Sequence, residues 1–387
     1  MKVLCSCLPA HGHLHPILPV AAALRAASHE VTFATESGYG AQIRELGYAT
    51  FAVGEDMRTP AVRMVTAHPE FFTFTPLQQR AFTMRHLFAG IRLDESVDVL
   101  LETAEMLRPD VLLHDPAEFA APLVAAILDV PNICVGYGLM LQPQLRLAGE
   151  EGAAAQWRRH GFLPAPDGGL YRHLYLDPTP PALADPAVPG ARTAQPVRPI
   201  PFGDPAAQLP AILDRFDDRP LVYVTLGTLY NGDLSPLKPI ISGLLRMPVN
   251  VIVTVGSDAD PAAVDPRMPG VVVERFIPQA ALIPRCALVV THGGASSVSA
   301  PLGLGIPLLL TPRGADQFEN TDAVVRAGAG IAIQPQQLHS DSVTEAVQLL
   351  LNDSSYRTAA NHLRDEYAAM PHPDQLVKMI EKLAGGA

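Results

Sequence analysis

Cysteine is scarce in this 387-residue chain, and the four present fall into no metal-binding or redox pattern. Cys5 and Cys7 lie two apart in an apolar run, while Cys134 and Cys286 stand alone. A disulfide scaffold and a zinc ribbon are thereby excluded, and the cysteines read as small buried residues in a reducing, cytoplasmic setting. Positive charge is also short, with 28 Lys and Arg against 39 Asp and Glu, a net charge of −11. Nonspecific nucleic-acid binding needs a cationic face, so nucleic acid is not an expected partner. Phosphate on a small molecule stays open, because helix N-termini and backbone amides bind it without net positive charge. No apolar run approaches the ~20 residues of a membrane span, so no membrane contact is expected. A cleavable leader is not expected either, since the first apolar run stops at Pro9 and three histidines follow.

What the sequence does have is alternation. Residues 2–8, 30–35, 48–53, 110–115 and 132–136 read as strands, several apolar on both faces, with helices at 15–28 and 116–129. Such alternation implies a parallel sheet covered on both sides. Residues 177–205 hold nine of the 38 prolines, a density that reads as an interdomain linker. Beyond it, strands are expected at 219–226, 249–255, 271–277, 288–292, 307–311 and 330–333. Helices are expected around 236–246, 295–304, 317–327, 341–352, 356–370 and 374–387. The length suits two domains, and open α/β sheets bind ligands at the carboxyl ends of their strands.

Two stretches of the first half resist this reading. Residues 57–92 include Met57, Phe71, Phe74, Phe82 and Phe88, and residues 137–175 include Tyr137 and Met140. Each is ordinary core taken singly, but the excess of Met and aromatics in loops favours the wall of a pocket for a bulky apolar ligand. The stretch HGHLHP, residues 11–16, sets three histidines together, which reads as a metal cluster, one base with bystanders, or an inert polar loop. No Asp, Glu or Cys ligand lies beside it in sequence, which argues against metal.

The strongest signal is residues 288–322. A strand ends in His292, small residues Gly293, Gly294, Ala295, Ser296 and Ser297 follow, and a helix begins, which is a ready anion site. Asp316-Gln317 lies downstream, and Thr225, Gly227 and Thr228 end the strand that opens the second half.

FIPQ (276–279), HGGASS (292–297), GIP (305–307) and DQFENTD (316–322), in that order and spacing, resemble the donor-binding signature of the family 1 glycosyltransferases. Gly12-His13-Leu14-His15-Pro16 also matches their GHxxP start, particularly in bacterial enzymes that decorate polyketides and related natural products. The resemblance implies a GT-B fold, two Rossmann-like βαβ domains facing each other across a cleft. Residues 1–205 would bind the acceptor, 206–370 the nucleotide sugar, and 371–387 would form a helix returning to the first domain. It implies an inverting, metal-independent and cofactor-free sugar transfer from a nucleoside diphosphate to a hydrophobic aglycone, by a monomer or homodimer.

Carried over residue by residue, Phe276 would stack on the base, Ile277 read its edge and Gln279 lie near the ribose. His292, Gly294, Ala295, Ser296 and Ser297, with Thr228, would hold the diphosphate, and Asp316 and Gln317 the sugar. Members using UDP-sugars often carry a glutamate eight residues after the motif histidine, where this chain has Ala300, and the lack of that ribose partner favours a dTDP-deoxysugar. His13 would be the general base and Asp115 its orienting carboxylate, with Glu118 the weaker alternative. His11 would line the acceptor mouth with Met57, Phe71, Phe74, Phe82, Phe88, Tyr137 and Met140. A nonhydrolysing sugar-nucleotide epimerase and an inactive sugar-nucleotide-binding partner are the rival readings.

Overall fold

The computed structural model of the chain describes every residue except 212, 214–215, 228–232, 257–258, 265–269 and 386–387. The chain divides into two compact units, one of Met1–Thr179, Asp185–Arg198 and Pro371–Ala387, the other of Pro180–Ala184 and Pro199–Met370.

The first unit is built on β1 (Lys2–Ser6), β2 (Glu30–Thr35), β3 (Ala49–Ala52), β4 (Val111–His114), β5 (Asn132–Val135), β6 (Leu174–Asp177) and β7 (Ala194–Pro196). All pair in parallel, in the order β3-β2-β1-β4-β5-β6-β7. Val3 and Cys5 face one core with Ile17, Leu24 and Phe33, while Leu4 and Leu112 face another with Val97, Leu100 and Leu123. Both faces of β1 are therefore buried, the reason its sequence lacks polar alternation. All four cysteines are free and buried.

Three local readings need correction. The first helix runs His11–Ala26 and not from residue 15, so HGHLHP forms its opening turns and Pro16 lies inside it. Pro16 removes the bond to the Gly12 carbonyl, and Gly12 is exposed, so water can replace it. The stretch 177–205 is not only a linker, because it carries β7 at the edge of the sheet, where a proline costs no ladder partner. β6 arises within the aromatic-rich stretch that gave no periodic signal.

The second unit holds β8 (Leu221–Thr225), β9 (Asn250–Thr254), β10 (Val271–Glu274), β11 (Leu288–Thr291), β12 (Leu308–Leu310) and β13 (Gly330–Ala332). They too pair in parallel, in the order β10-β9-β8-β11-β12-β13. Each sheet reverses its winding once, between β1 and β4 and between β8 and β11. Doubly wound sheets bind ligands at such reversals, beyond the carboxyl ends of the strands.

Candidate active site

At the reversal in the first sheet, β1 leads into the helix bearing His13 and β4 leads directly into Asp115. Asp115 is 0% exposed, yet three donors satisfy it: the Leu8 amide on Oδ2 (3.0 Å), and the Ala117 amide (2.8 Å) and His13 Nδ1 (2.9 Å) on Oδ1. Burial alone would raise its pKa; the His13 charge and these hydrogen bonds outweigh it and hold the carboxyl below its usual range. An ionised carboxylate only accepts, so Nδ1 of His13 carries a proton in either state, and in the neutral ring Nε2 keeps the lone pair.

Tyr137 packs edge-on against the His13 ring at 5.0 Å, and Phe88 lies 6.3 Å away. Phe88 belongs to a π-helix, Met84–Arg92, for which the sequence carries no signal. The other two histidines are placed elsewhere. His11 and His15, one helical turn apart, pack at 5.0 Å, and His11 also meets Tyr39 at 5.2 Å. Residues two apart in a helix point about 200° from one another, so the three rings do not converge. Burial and the neighbouring His11 push His15 down to about 4.

Among the described residues, the ring contacts of the predicted acceptor aromatics centre on two points, His13 for Phe88 and Tyr137 and Phe82 for the rest. Phe71 and Phe74 both pack on Phe82, at 5.9 and 5.5 Å. His86 stacks on Phe82 at 4.1 Å and His68 meets it at 5.0 Å; the only sequence signal for either is that Phe82 and His86 lie four apart in a helical run. Met57 is half-buried at the start of the helix Arg58–Ala67, and Met140 packs against the same core cluster as Phe88. His11 lies with Tyr39 and not with these rings.

The reversal in the second sheet holds His292, 9% exposed and fixed between two glycines. A Cβ at Gly227 would lie 2.3 Å from its Cε1, and one at Gly294 2.5 Å from its Nε2. Burial pushes this imidazole down to about 4, against the pull of Asp316 and of the Thr225 carbonyl, which accepts a ring N–H. The helix Ala295–Leu302 begins directly after, and Gly294 gives it no side-chain cap. Ser297 does not cap it either: its hydroxyl donates to the Gly294 carbonyl (2.8 Å) and accepts from Thr291 (2.9 Å). The first-turn amides are thus left for an anion, with the exposed Ser296 beside them.

Asn320, inside the DQFENTD stretch but assigned no role by it, ties this turn to the acidic one, donating to the Gly293 carbonyl (2.9 Å) and to Asp316 Oδ2 (2.8 Å). Gln317 is buried, and its Oε1 accepts from the Arg313 and Gly314 amides (2.8 and 3.1 Å), leaving only Nε2 to offer elsewhere. Phe276 stands 73% exposed beyond β10, next to the fully buried Ile277. Gln279 donates to the Tyr223 hydroxyl (2.8 Å), itself bonded to Thr254 (2.7 Å). Thr228 lies outside the described residues.

Residues 22–227 match the N-terminal domain, and residues 239–383 the C-terminal domain, of the erythromycin biosynthesis protein CIII-like family. The chain belongs to this family. Among its relatives, the tylactone mycaminosyltransferase of Streptomyces fradiae is 28% identical, over 99% of this chain and 92% of its own. The 3-alpha-mycarosylerythronolide B desosaminyl transferase of Saccharopolyspora erythraea is 26% identical, over 100% and 99%. The spinosyn rhamnosyltransferase SpnG complexed with thymidine diphosphate is 27% identical with a TM-score of 0.81, covering 98% of this chain and 100% of that one. The chain is thus a GT-B glycosyltransferase of natural-product biosynthesis. No helix of this glycosyltransferase, among the described residues, is long and apolar enough to cross a membrane.

Proposed function

We propose that the enzyme transfers a deoxysugar from a dTDP-sugar to a hydroxyl of a hydrophobic polyketide-type aglycone, with inversion at the anomeric carbon and without metal. The observation that carries this reading is the His13–Asp115 pair, 2.9 Å apart at the winding reversal of the first sheet. Nε2 of His13 takes the acceptor proton as the acceptor oxygen bonds to the anomeric carbon. The bond from that carbon to the phosphate oxygen breaks, and its electrons leave with dTDP. Asp115 fixes the tautomer and stabilises the imidazolium. A single displacement of this kind inverts configuration, whereas retention through two displacements needs an enzyme nucleophile.

The donor side rests on the uncapped helix Ala295–Leu302 for the diphosphate and on Phe276 for the base. Donor choice rests on Ala300, a buried methyl where a ribose-binding carboxylate would favour UDP, and on the thymidine diphosphate bound by the relative SpnG. The relatives' sugars, mycaminose and desosamine in name, support the deoxysugar class.

The test is incubation with a panel of dTDP- and UDP-sugars and hydrophobic aglycones, read by mass spectrometry. Products from dTDP-deoxysugars are expected, with at least tenfold weaker use of UDP-sugars; a clear UDP preference overturns the donor assignment. His13→Ala should lose product while still binding dTDP, and full activity in that variant refutes the base.

A further inference from the structure

Behind the dyad lies a second buried carboxylate, Glu118, that takes no part in the proton transfer itself. Glu118 follows Asp115 by three residues, and its amide donates to the Asp115 carbonyl (3.2 Å). Its carboxylate accepts from the Ala120 and Ala121 amides (3.0 and 2.8 Å), capping the helix Ala120–Leu128. Across a small cavity, with room for about one water molecule, it faces the buried Arg92 guanidinium. Leu8 and Phe88 line the same cavity, the first through its amide a donor to Asp115, the second a neighbour of the His13 ring.

Arg92 is itself unusual. Its Nη1 donates to the Glu55 carbonyl (2.5 Å), and Glu95 lies 3.7 Å away, held also by Arg63, but its buried Nε has no partner. Gly54 gives the guanidinium room, since a Cβ there would meet Nη2 at 2.7 Å. A buried guanidinium with an unpaired donor and a buried carboxylate, both lining one water-sized gap, make the arrangement of a water-bridged charge pair.

We propose that Glu118 is a positioning residue of the transfer reaction: with Arg92 as counter-charge it holds the Asp115 turn, and its charge adds to that of Asp115 in stabilising the imidazolium of His13. The inference rests on His13 being the base. The charged and titratable groups facing Glu118 are Asp115 on its own turn, Arg92 on the helical run and Cys7 just after β1; Glu95, Glu55 and Asp56 act on Arg92 in turn. Burial, reinforced by Asp115, pushes Glu118 up to about 7, so its charge changes within the working range. Above that pH both carboxylates are ionised and the base is strong. Below it Glu118 takes a proton, Arg92 is left with Glu95 as its near counter-charge, and the dyad is weakened.

The experiment is the pH dependence of kcat and KM for Glu118→Gln, Arg92→Met and His13→Ala beside the wild type, with thermal melts of each. Wild-type kcat should fall below about pH 7 more steeply than one ionisation allows. Glu118→Gln should lower the plateau kcat about fivefold to tenfold, leave the aglycone KM near its wild-type value and restore a single-ionisation slope. Arg92→Met should move the acid limb to higher pH, because the carboxylate then keeps its proton longer. A Glu118→Gln profile superimposable on wild type overturns the proposal while leaving the base intact, provided His13→Ala is inactive. An active His13→Ala overturns both. Histidine NMR of the wild type gives a reading free of mutation: the His13 signals should show a second inflection near pH 7, and a single titration step refutes the coupling.

Discussion

Asp115 and His292 are buried polar side chains with opposite consequences. Asp115 is ionised because three donors reach it, and replacing it by asparagine leaves shape but lets His13 turn to the wrong tautomer. Asp115→Asn is expected to cut kcat by about two to four orders of magnitude with dTDP affinity nearly unchanged, as steady-state kinetics and calorimetry would show. His292 is neutral at pH 7, since burial holds it near 4, and the Thr225 carbonyl accepts a ring N–H. A neutral imidazole has one N–H to give, so donating to a phosphate requires the bound anion to draw in a proton. Donor binding should therefore take up about one proton at neutral pH. Calorimetry in buffers of different ionisation heat measures this, and zero uptake would mean that His292 stays neutral beside the diphosphate.

At the scale of elements, the turns do more than the strands they follow. Gly227, with φ +74°, and Gly294 leave no room for a Cβ against the His292 ring. Alanine at either position should displace the ring and weaken dTDP binding about tenfold, a cost of roughly 1–3 kcal/mol for strain and overpacking; titration would reveal it, and wild-type affinity would contradict it. Much of this architecture is legible in sequence. Two-sided apolar runs such as LVVT mark the buried parallel strands, and the order of GHxxP, FIPQ, HGGASS and DQ marks where chemistry can lie. What escapes is set by distant parts of the chain. The start of the first helix at His11 is hidden by prolines that an exposed Gly12 tolerates. β7 is hidden by an edge position that only the finished sheet defines. Asn320 reaches the Gly293 carbonyl and Glu118 faces Arg92, partners remote in sequence that no local pattern reveals, and Gln317 proves to brace its own loop.

For the molecule as a whole, protonation sets the stability profile. His15, His114 and His292 are each pushed by burial from 6.5 to about 4, so each is held neutral in the folded chain. A depressed imidazole pKa contributes stability that is complete above pH 6.5 and lost as pH falls toward 4. Glu118 opposes this, because its folded value near 7 exceeds 4.5 and it gains stability as pH falls between them. Three imidazoles outweigh one carboxylate, so the melting temperature should drop by a few degrees per pH unit between about 6.5 and 4.5. A flat profile would show that these rings are not buried as described.

The last helix, Pro373–Gly385, belongs to the first unit. Leu376, Val377 and Ile380 enter the core beneath the His13 helix, and Glu381 bonds His29 at 2.9 Å. During synthesis the first unit is otherwise complete once Arg198 has emerged, yet its core stays open until the whole of Pro199–Met370 has been translated. At ribosomal speeds that wait is on the order of ten to thirty seconds. Throughout it the part of that core which Leu376, Val377 and Ile380 cover is bare, which makes this nascent chain a client for chaperones and leaves a prematurely terminated one exposed to proteolysis.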